Sequence, residues 1–366
     1  MTTDITSADR ILMLAPHPDD EAIGAGGLLQ RARAAGAKVH VIYGTCGDNN
    51  AWPQRVLEKR WSITPTARAR WGARRREEAR VALRLLLGSD NCATFLNLPD
   101  QGVTSLLLRG GEEIIASLRE EFSSLRPTIL VLPSADDAHA DHSALHVLAH
   151  FAFGANMSAC RVLHYVVHRG RHPAPAPDCK LRLTAEEVDI KRRAILCHKT
   201  QMLLSRRRFT AFARTEEKFT LDAPADIRAS EHEIVETGTE RGALRIVARI
   251  GRVSLQRRRL YIAIQSIPDR QTRCSILLPT HNGCVEICDE TGKCLPRRAT
   301  VRVEHPYATI RMPLEWLQPV EVAFAKLQSN SVFYDRSGWR KIALPASISQ
   351  RPSSRKVRDK DNTHLR

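Results

Sequence analysis

Short apolar runs alternate with segments of helical spacing in the first part of the chain, and this alternation constrains the fold more than any other feature. We predict five strands from the apolar runs at residues 10–17, 38–45, 93–100, 128–134 and 161–168. Strands joined by helical crossovers pair in parallel, and helices then cover both faces of the sheet. The pattern therefore predicts an α/β domain over residues 1–225, with a Rossmann-like and mainly parallel sheet.

The pattern of apolar and polar residues changes near residue 230. From there to about residue 347, short apolar runs are separated by turn signals, which is typical of an all-β domain, and we expect a sandwich-like one. The last residues, 348–366, are polar and basic with few apolar side chains, so we predict a disordered tail. The chain is thus expected to contain an α/β domain at 1–225, a β-rich accessory domain at 230–347 and a short tail.

Composition limits the classes of protein to consider. The hydrophobic share of 43% supports real cores, and no run of about 18 apolar residues exists, so we predict no transmembrane helix. The N-terminal stretch 1–10 is polar and carries acids early, unlike a secretory signal. We expect a cytoplasmic protein, and a peripheral membrane association stays open. Composition gives no indication of the oligomeric state.

The formal net charge of +16 has two interpretations. Either the protein meets an anionic partner, such as nucleic acid, an anionic membrane face or an acidic substrate, or a GC-rich genome favours arginine codons. Aromatic residues make up only 5% of the chain, and no basic run is interleaved with them. This argues against dedicated nucleic-acid binding, since single-strand binders stack bases on aromatic rings.

Four of the nine cysteines lie close together in the β-rich part, at Cys274, Cys284, Cys288 and Cys294. Thiolates at such spacing are candidate zinc ligands, but the C-x3-C-x5-C pattern matches no standard zinc finger or ribbon. The alternative is free thiols in strands and a turn. Both interpretations remain open at the level of sequence.

The stretch "APHPDDE" places one imidazole and three carboxylates directly after the first predicted strand. His17, Asp19, Asp20 and Glu21 fall within five positions, and adjacent acids repel one another. Either a cation lies among them, or the acids favour the positive start of the following helix. His17 and Asp20, three apart across a strand-to-helix turn, can converge on one ion.

A second polar cluster, "DDAHADH", follows the fourth predicted strand and offers a third ligand, either His139 or His142. If strands one and four are neighbours, both clusters face one crevice at the carboxyl ends of the strands. Imidazole and carboxylate together suit Zn²⁺ or Fe²⁺. His146 and His150 continue one face of the next helix, and we leave both out of the site because such histidines are more often packed or exposed than ligating.

These motifs carry a family resemblance. "APHPDDEAIGAGG" followed by "HADH" resembles the PIG-L/LmbE-like de-N-acetylases, which remove acetyl groups from N-acetylglucosamine-type sugars. Four later stretches agree in order with the family pattern: "RRREEARVALRLLLG", "LNLPDQGV", "KRRAILCHKTQ" and "FARTEEKF". The resemblance covers about residues 8–221, and Pro16, where the family has alanine, is a small departure. The glycines at 24–27 lie inside the first helix, so we interpret them as packing residues and not as a dinucleotide loop.

The resemblance implies roles for the clustered residues. It makes His17, Asp20 and His142 the metal ligands, with Zn²⁺ expected and Fe²⁺ the alternative. It makes Asp19 the general base that takes a proton from the attacking water. This fits the chemistry of amide hydrolysis, because an amide carbonyl is a poor electrophile that a metal must polarise.

The resemblance also implies that His139 stabilises the oxyanion and protonates the leaving amine, with Asp141 supporting it. A protonated imidazole would offset the negative charge of the tetrahedral intermediate. We expect Asp141, two positions away, to raise the pKa of His139. These three carboxylate and imidazole groups, Asp19, His139 and Asp141, form the predicted catalytic set.

Candidate substrate contacts lie at the ends of other strands. Asp48 and Asp100 are placed where sugar hydroxyls bind, and Arg75 is the arginine of the R-x-x-E helix, suited to a phosphate or hydroxyl. The alternative for Arg75 is an ion pair with Glu78 one turn further on. The irregular segment 46–70 carries Trp52 and Trp61 and is long enough for a lid or a sugar-stacking wall, although tryptophans often merely anchor such loops.

The sequence therefore favours a zinc-dependent N-deacetylase that acts on an N-acetylglucosamine-type glycoconjugate, anionic or lipid-linked in view of the charge. One alternative is an amidase for another amide, such as a thiol-sugar conjugate. The other is a non-catalytic protein that binds a carbohydrate or a partner through its β domain. The complete ligand set and base argue against this last alternative.

Overall fold

The computed structural model describes residues 4–168, 177–221, 232–250, 258–266, 270–314, 320–328, 334–335 and 337–344. The predicted disordered tail at 348–366 lies outside these ranges. None of the helices in the described ranges combines the length and the apolar character that a membrane crossing needs.

The first sheet contains the five predicted strands, all parallel, in the order β3-β2-β1-β4-β5. They are β1 (Arg10–Ala15), β2 (Lys38–Thr45), β3 (Ala93–Leu98), β4 (Ile129–Pro133) and β5 (Arg161–Tyr165). The central strand β1 is apolar throughout and pairs with both β2 and β4, since Leu12 lies opposite His40 on one side and Leu130 on the other. The loops after β1 and β4 are thereby neighbours at one edge of the sheet.

Helices cover both faces, which confirms the predicted α/β class. They are α1 (Asp20–Ala34), α2 (Ala51–Glu58), α3 (Pro65–Leu87), α4 (Val103–Arg109), α5 (Glu112–Leu125), α6 (Ala140–Phe153), α7 (Ala185–Cys197) and α8 (Lys199–Thr210), with a 3-10 turn at Gly154–Ala159. The side chains of α1, α3 and α7 share one core with the sheet, and those of α4, α5 and α6 share the other. Helix α2 lies within segment 46–70, so that this stretch is less irregular than predicted.

Helix α1 packs closely on its neighbours because of its glycines. A Cβ atom at Gly24 would lie 2.5 Å from the Tyr165 ring, and one at Gly27 would lie 2.3 Å from Leu183. The interpretation of these glycines as packing residues is therefore confirmed. A two-stranded ribbon, β6 (Cys179–Arg182) and β7 (Glu216–Phe219), lies against the same helix.

The second sheet contains nine antiparallel strands in the order β16-β15-β10-β11-β12-β13-β14-β9-β8. Its strands are β8 (Ile234–Glu240), β9 (Ala243–Arg249), β10 (Arg259–Ser266), β11 (Arg270–Leu277), β12 (Gly283–Cys288), β13 (Cys294–Glu304), β14 (Tyr307–Pro313), β15 (Val320–Leu327) and β16 (Arg340–Lys341). The prediction of an all-β C-terminal part is confirmed. Since β15 also approaches β8, the strands form one curled, nearly closed sheet around an apolar core.

The two sheets are not independent, because the second one packs on α6. Val322 and Phe324 from β15, together with Trp339, are buried in the same core as Phe151 of α6. Arg273 on β11 also donates from Nε to the Leu107 carbonyl at 2.9 Å, and burial lowers its pKa to about 10. The C-terminal part thus completes a core that the first domain leaves open.

The cysteine group forms a pair and two separate thiols. Cys288 and Cys294 lie opposite each other on β12 and β13 with their sulfurs 3.5 Å apart, whereas Cys274 is buried and Cys284 is exposed. Within the described ranges, the groups of three side chains suited to a metal lie at the edge of the first sheet and include no cysteine.

Candidate metal centre and active site

Three side chains from the two predicted clusters converge at the carboxyl edge of the sheet. His17 follows β1, Asp20 is the first residue of α1, and His142 lies in the first turn of α6. The distances are 3.3 Å from His17 Nδ1 to Asp20 Oδ2, 3.2 Å from His142 Nε2 to Asp20 Oδ2, and 3.2 Å between the two ring nitrogens. All three residues are buried. We refer to the three atoms His17 Nδ1, Asp20 Oδ2 and His142 Nε2 as the ligand triangle.

The ligand triangle fits a tetrahedral metal ion. Ligand atoms at about 2.0–2.1 Å from zinc in tetrahedral geometry are separated by about 3.3 Å, which matches all three edges. Two imidazoles and one carboxylate also suit Zn²⁺ or Fe²⁺ chemically. Of the two ligands considered from spacing alone, His142 completes the triangle, and His139 lies beside it.

The outer nitrogen of His17 faces two carboxylates. His17 Nε2 lies 3.2 Å from Asp100 Oδ1 and 3.4 Å from Asp141 Oδ2. A hydrogen bond from Nε2–H to a carboxylate leaves the lone pair of Nδ1 free to bind a metal, and it fixes the orientation of the ring. Although burial opposes it, the hydrogen bond from His17 holds the pKa of Asp100 below its usual value. The second oxygen of Asp100 accepts from the Asn49 backbone N–H at 2.8 Å, so that this residue, predicted to bind a sugar hydroxyl, is engaged on both oxygens.

The outer nitrogen of His142 faces a carboxylate that the sequence analysis did not select. Asp137 Oδ2 lies 3.1 Å from His142 Nδ1 and accepts from the backbone N–H groups of Val167 (2.8 Å) and His168 (3.1 Å). Its Oδ1 accepts from the His139 N–H at 2.9 Å. Against the cost of burial, the charge of His142 lowers the pKa of Asp137 to about 2. The only available signal was its place in the "DDAHADH" cluster.

Asp19 lies beside the ligand triangle in a strained conformation. Its φ of 138° is rare for a residue with a Cβ, and such a conformation costs about 1–3 kcal/mol, so that it persists only where the surroundings impose it. The surroundings do so here, because Glu21 Oε2 accepts the Asp19 N–H at 2.9 Å and the other oxygen of Glu21 lies 2.9 Å from His198 Nε2. Burial raises the pKa of Asp19 to about 6, and Arg75 opposes this shift.

Arg75 supports the Asp19 loop from the side of α3. Its guanidinium donates to the carbonyls of Gly47 and Pro18, both at 2.8 Å, and lies 3.4 Å from Asp19 Oδ2. Gly47 has a φ of 61° and no room for a Cβ, which would lie 1.7 Å from the guanidinium. The alternative pairing with Glu78 is wrong, since the carboxylate of Glu78 turns to other partners on α3 and α8. Arg75 also lines the cavity above the ligand triangle.

His139 lies over the ligand triangle, with its ring centre 4.6 Å from that of His17. Its Nδ1 accepts a hydrogen bond from the backbone N–H of Asp141 at 3.2 Å, which puts the ring proton on Nε2. The carboxylate of Asp141 instead accepts from the N–H groups of Gln101 (2.7 Å) and Val103 (3.1 Å).

The expectation that Asp141 raises the pKa of His139 is wrong. Burial and the neighbouring rings of His17 and His142 lower this pKa well below its usual value, and the carboxylate that opposes the shift is Asp137. These contacts favour the neutral form of His139, which donates a hydrogen bond but carries no charge.

Among the described residues of the C-terminal part, Tyr334 lines the cavity. Tyr334 forms an isolated β-bridge with His139, and its ring centre lies 5.9 Å from that of His139 and 5.4 Å from that of His168. The next residue, Asp335, donates its N–H to the Ala138 carbonyl at 2.8 Å. No sequence pattern connects Tyr334 or His168 with the site, because strand periodicity does not reveal which edge of a distant domain reaches a loop.

The remaining predicted contacts lie further away. Asp48 is half-buried with its Cβ close to Gly72 of α3, and among the described residues it is not part of the cavity lining. Trp52 and Trp61 are 60% and 85% exposed and also do not line the cavity. The other side of the cavity mouth is formed by α8, where Leu204 and Phe209 contribute apolar walls.

The fold is a Rossmann-like α/β domain, and two histidines and one carboxylate form a candidate metal centre at the carboxyl edge of its sheet. Residues 12–153 match the family PIG-L, described as GlcNAc-PI de-N-acetylase. This part of the chain is similar to that family, in agreement with the resemblance carried by the motifs around His17 and His142.

Relatives with assigned names agree with this family. The chain is 28% identical over 173 residues to a 1D-myo-inositol 2-acetamido-2-deoxy-alpha-D-glucopyranoside deacetylase from Corynebacterium efficiens, with 44% of this chain and 54% of the relative covered. It is 30% identical over 164 residues to the Corynebacterium diphtheriae protein of the same name, with 42% and 55% covered. The chain therefore matches only about half the length of these curated relatives.

Among solved structures, the N,N'-diacetylchitobiose deacetylase from Pyrococcus horikoshii is similar with a TM-score of 0.45 and 20% identity. The similarity covers 58% of this chain and 83% of that one.

Proposed function

We propose that the protein is a metal-dependent hydrolase that removes the N-acetyl group from an N-acetylglucosamine-type glycoconjugate, with zinc as the metal. The observation that carries this proposal is the ligand triangle of His17, Asp20 and His142 with Asp19 strained beside it. The family match and the names of the corynebacterial relatives support the same reaction class. The proximity of Asp19 to three side chains suited to a metal supports catalysis over a purely carbohydrate-binding role.

The ligand triangle would hold the metal, which supplies the Lewis acidity that an unreactive amide carbonyl needs. Asp19 accepts the proton of the attacking water, and its raised pKa suits a group that must then return that proton to the leaving amine. Arg75 and Glu21 hold the Asp19 loop so that the carboxylate stays at the cavity. In this proposal these two residues position the base.

His139 stabilises the developing oxyanion in this proposal. The backbone N–H of Asp141 donates to Nδ1 of His139. The proton on Nε2 of His139 is therefore free to be donated as a hydrogen bond. This differs from the charged role expected from sequence, since the ring is neutral in the folded protein. Asp141 acts through the backbone of the 101–103 turn and through His17, and so positions the site.

The experiment measures bound metal and acetate release with the purified full chain. Two probes are informative, the inositol glycoside of N-acetylglucosamine and N,N'-diacetylchitobiose. The variant Asp19→Asn should keep the metal and lose turnover by roughly 10²–10⁴-fold, which is the contribution of a positioned general base. The variant His17→Ala should lose the metal itself.

The matched control is Asp136→Asn, an exposed acid in the loop after β4. Its metal content and turnover should equal those of the unmodified protein. A protein that stays metal-free and inactive after zinc or iron addition would contradict the proposal. An Asp19→Asn variant with most of its activity would contradict the role of the base alone.

A further inference from the structure

Large apolar side chains are concentrated at the surface around α2 and α8. Of the ten large hydrophobic residues that are exposed in the described ranges, six belong to these helices and the turn between α2 and α3. We call this set the α2–α8 face; its members are Trp52, Val56, Leu57, Trp61, Leu203 and Leu204. Trp61 is 85% exposed, and Val56 is 64% exposed. Soluble surfaces seldom expose clustered side chains of this size unless something binds them.

The elements that carry these side chains are in contact with one another. Helices α2 and α8 pack against each other, and Arg55 of α2 donates from Nε to the Trp61 carbonyl at 2.9 Å, which ties the turn to the helix. The face borders the cavity, because Leu204 belongs to the face and also lines the cavity mouth. Whatever covers the face therefore lies next to the candidate active site.

The charge around the face is strongly positive. Residues 51–74 carry six Lys and Arg side chains and a single acid, Glu58, while residues 199–214 carry five Lys and Arg side chains and no acid. Three consecutive arginines, Arg206, Arg207 and Arg208, are exposed on α8 directly beside Leu204. An anionic partner is thus favoured, and self-association through a two-fold contact is disfavoured because it would bring these cations together.

The mixture of side chains identifies the kind of anionic partner. Tryptophan and aliphatic residues next to Lys and Arg are typical of surfaces that insert into the interface of an anionic membrane. Single-stranded nucleic acid would instead need aromatic rings alternating with cations, and the aliphatic members of the face would have no role in base stacking.

We propose that the α2–α8 face docks on the surface of an anionic lipid bilayer, with the mouth of the cavity at the membrane. The tryptophans and leucines enter the interface, and the arginines of α8 contact the lipid phosphates. This binding does not depend on the proposed deacetylation, so that each can fail without the other.

Vesicle co-sedimentation of the metal-loaded full chain tests the proposal. One set of vesicles contains phosphatidylcholine only, and the other contains phosphatidylcholine and phosphatidylglycerol in equal amounts. The protein should bind the anionic vesicles, with a blue shift of tryptophan emission, and binding should weaken at high salt. The double variant Trp52→Ser/Trp61→Ser, and separately Arg206→Glu/Arg207→Glu, should each reduce binding by about tenfold or more.

The matched control replaces two exposed apolar residues elsewhere, Leu277→Ser and Tyr307→Ser. It should bind vesicles like the unmodified chain, and circular dichroism with metal content verifies the folding of every variant. Equal binding by the face variants and the control would overturn the proposal, as would no binding to anionic vesicles. Binding of single-stranded RNA in place of vesicles, or self-association that the tryptophan variant abolishes, would also overturn it, since the face would then serve nucleic acid or a second copy.

Discussion

Replacing Asp137 by asparagine should weaken metal binding although Asp137 is not itself a ligand. Its Oδ2 accepts from His142 Nδ1 and from the Val167 and His168 amides, while Oδ1 accepts from the His139 amide. An asparagine can place its carbonyl oxygen toward the three donors on the Oδ2 side. Its NH₂ group then faces the His139 N–H, and one buried donor is left without an acceptor.

The magnitudes follow from this arrangement. One unsatisfied buried amide costs about 1–3 kcal/mol of folding free energy. The bond to His142 persists but loses the charge of the carboxylate, and removal of such a partner behind a metal-bound histidine typically lowers affinity by about 10–100-fold. This corresponds to about 1.4–2.7 kcal/mol of metal binding.

The assay is competition for zinc with a chelator of known affinity, together with urea unfolding of the apoprotein. The exposed neighbour Asp136→Asn is the control and should behave like the unmodified protein in both measurements. Unchanged zinc affinity in Asp137→Asn would refute the argument that this carboxylate orients His142. A drop in stability without a drop in affinity would assign Asp137 to the loop alone.

Three further predictions concern other parts of the structure. Tyr334→Ala should raise KM for the sugar substrate by several-fold with little change in metal content, since the tyrosine lines the cavity without reaching the ligand triangle; a matched Tyr307→Ala should leave KM unchanged. Lys191→Met should destabilise the fold by about 3–5 kcal/mol in urea unfolding, because it leaves the buried Glu217 carboxylate without the ammonium that lies 2.5 Å away. Zinc should raise the thermal midpoint of the protein, and His17→Ala should abolish that rise, since binding to the native state alone stabilises it.

The first domain could be predicted from the sequence because its signals are local. Each strand is a continuous apolar run, and a parallel sheet places the loops after β1 and β4 at the same edge once the two strands are neighbours. This is why His17, Asp20 and His142 could be expected to meet from residues more than a hundred positions apart. The distances that make them fit a tetrahedral ion depend on side-chain rotamers, which no pattern in the sequence specifies.

Asp137 was missed at the level of sequence and Asp141 was given the wrong mode of action, because both act through backbone hydrogen bonds. Asp137 accepts three backbone N–H groups, and Asp141 fixes His139 through its own amide and not through its carboxylate. The spacing of the carboxylates alone predicted a raised pKa for His139, whereas the pKa is lowered. The spacing takes no account of the burial of the ring or of the two imidazoles beside it. Electrostatic inference from sequence fails where desolvation is the largest contribution.

The C-terminal sheet is best understood as a structural part of the active site. Residues 334–335 and 337–339 lie on the loop that carries Asp137 and His139, and Gly338 approaches so closely that a Cβ there would lie 1.7 Å from the Ala135 carbonyl oxygen. A buried ion pair joins Asp335 to Lys326 of β15 and ties these residues to the second sheet. The same sheet buries Phe324 against α6, and His142 lies in the first turn of that helix. Both the helix and the loop around the ligand triangle are therefore held by residues beyond the matched family region, 12–153. The proposed metal ligands thus come from the first domain, while part of the packing around them comes from the second.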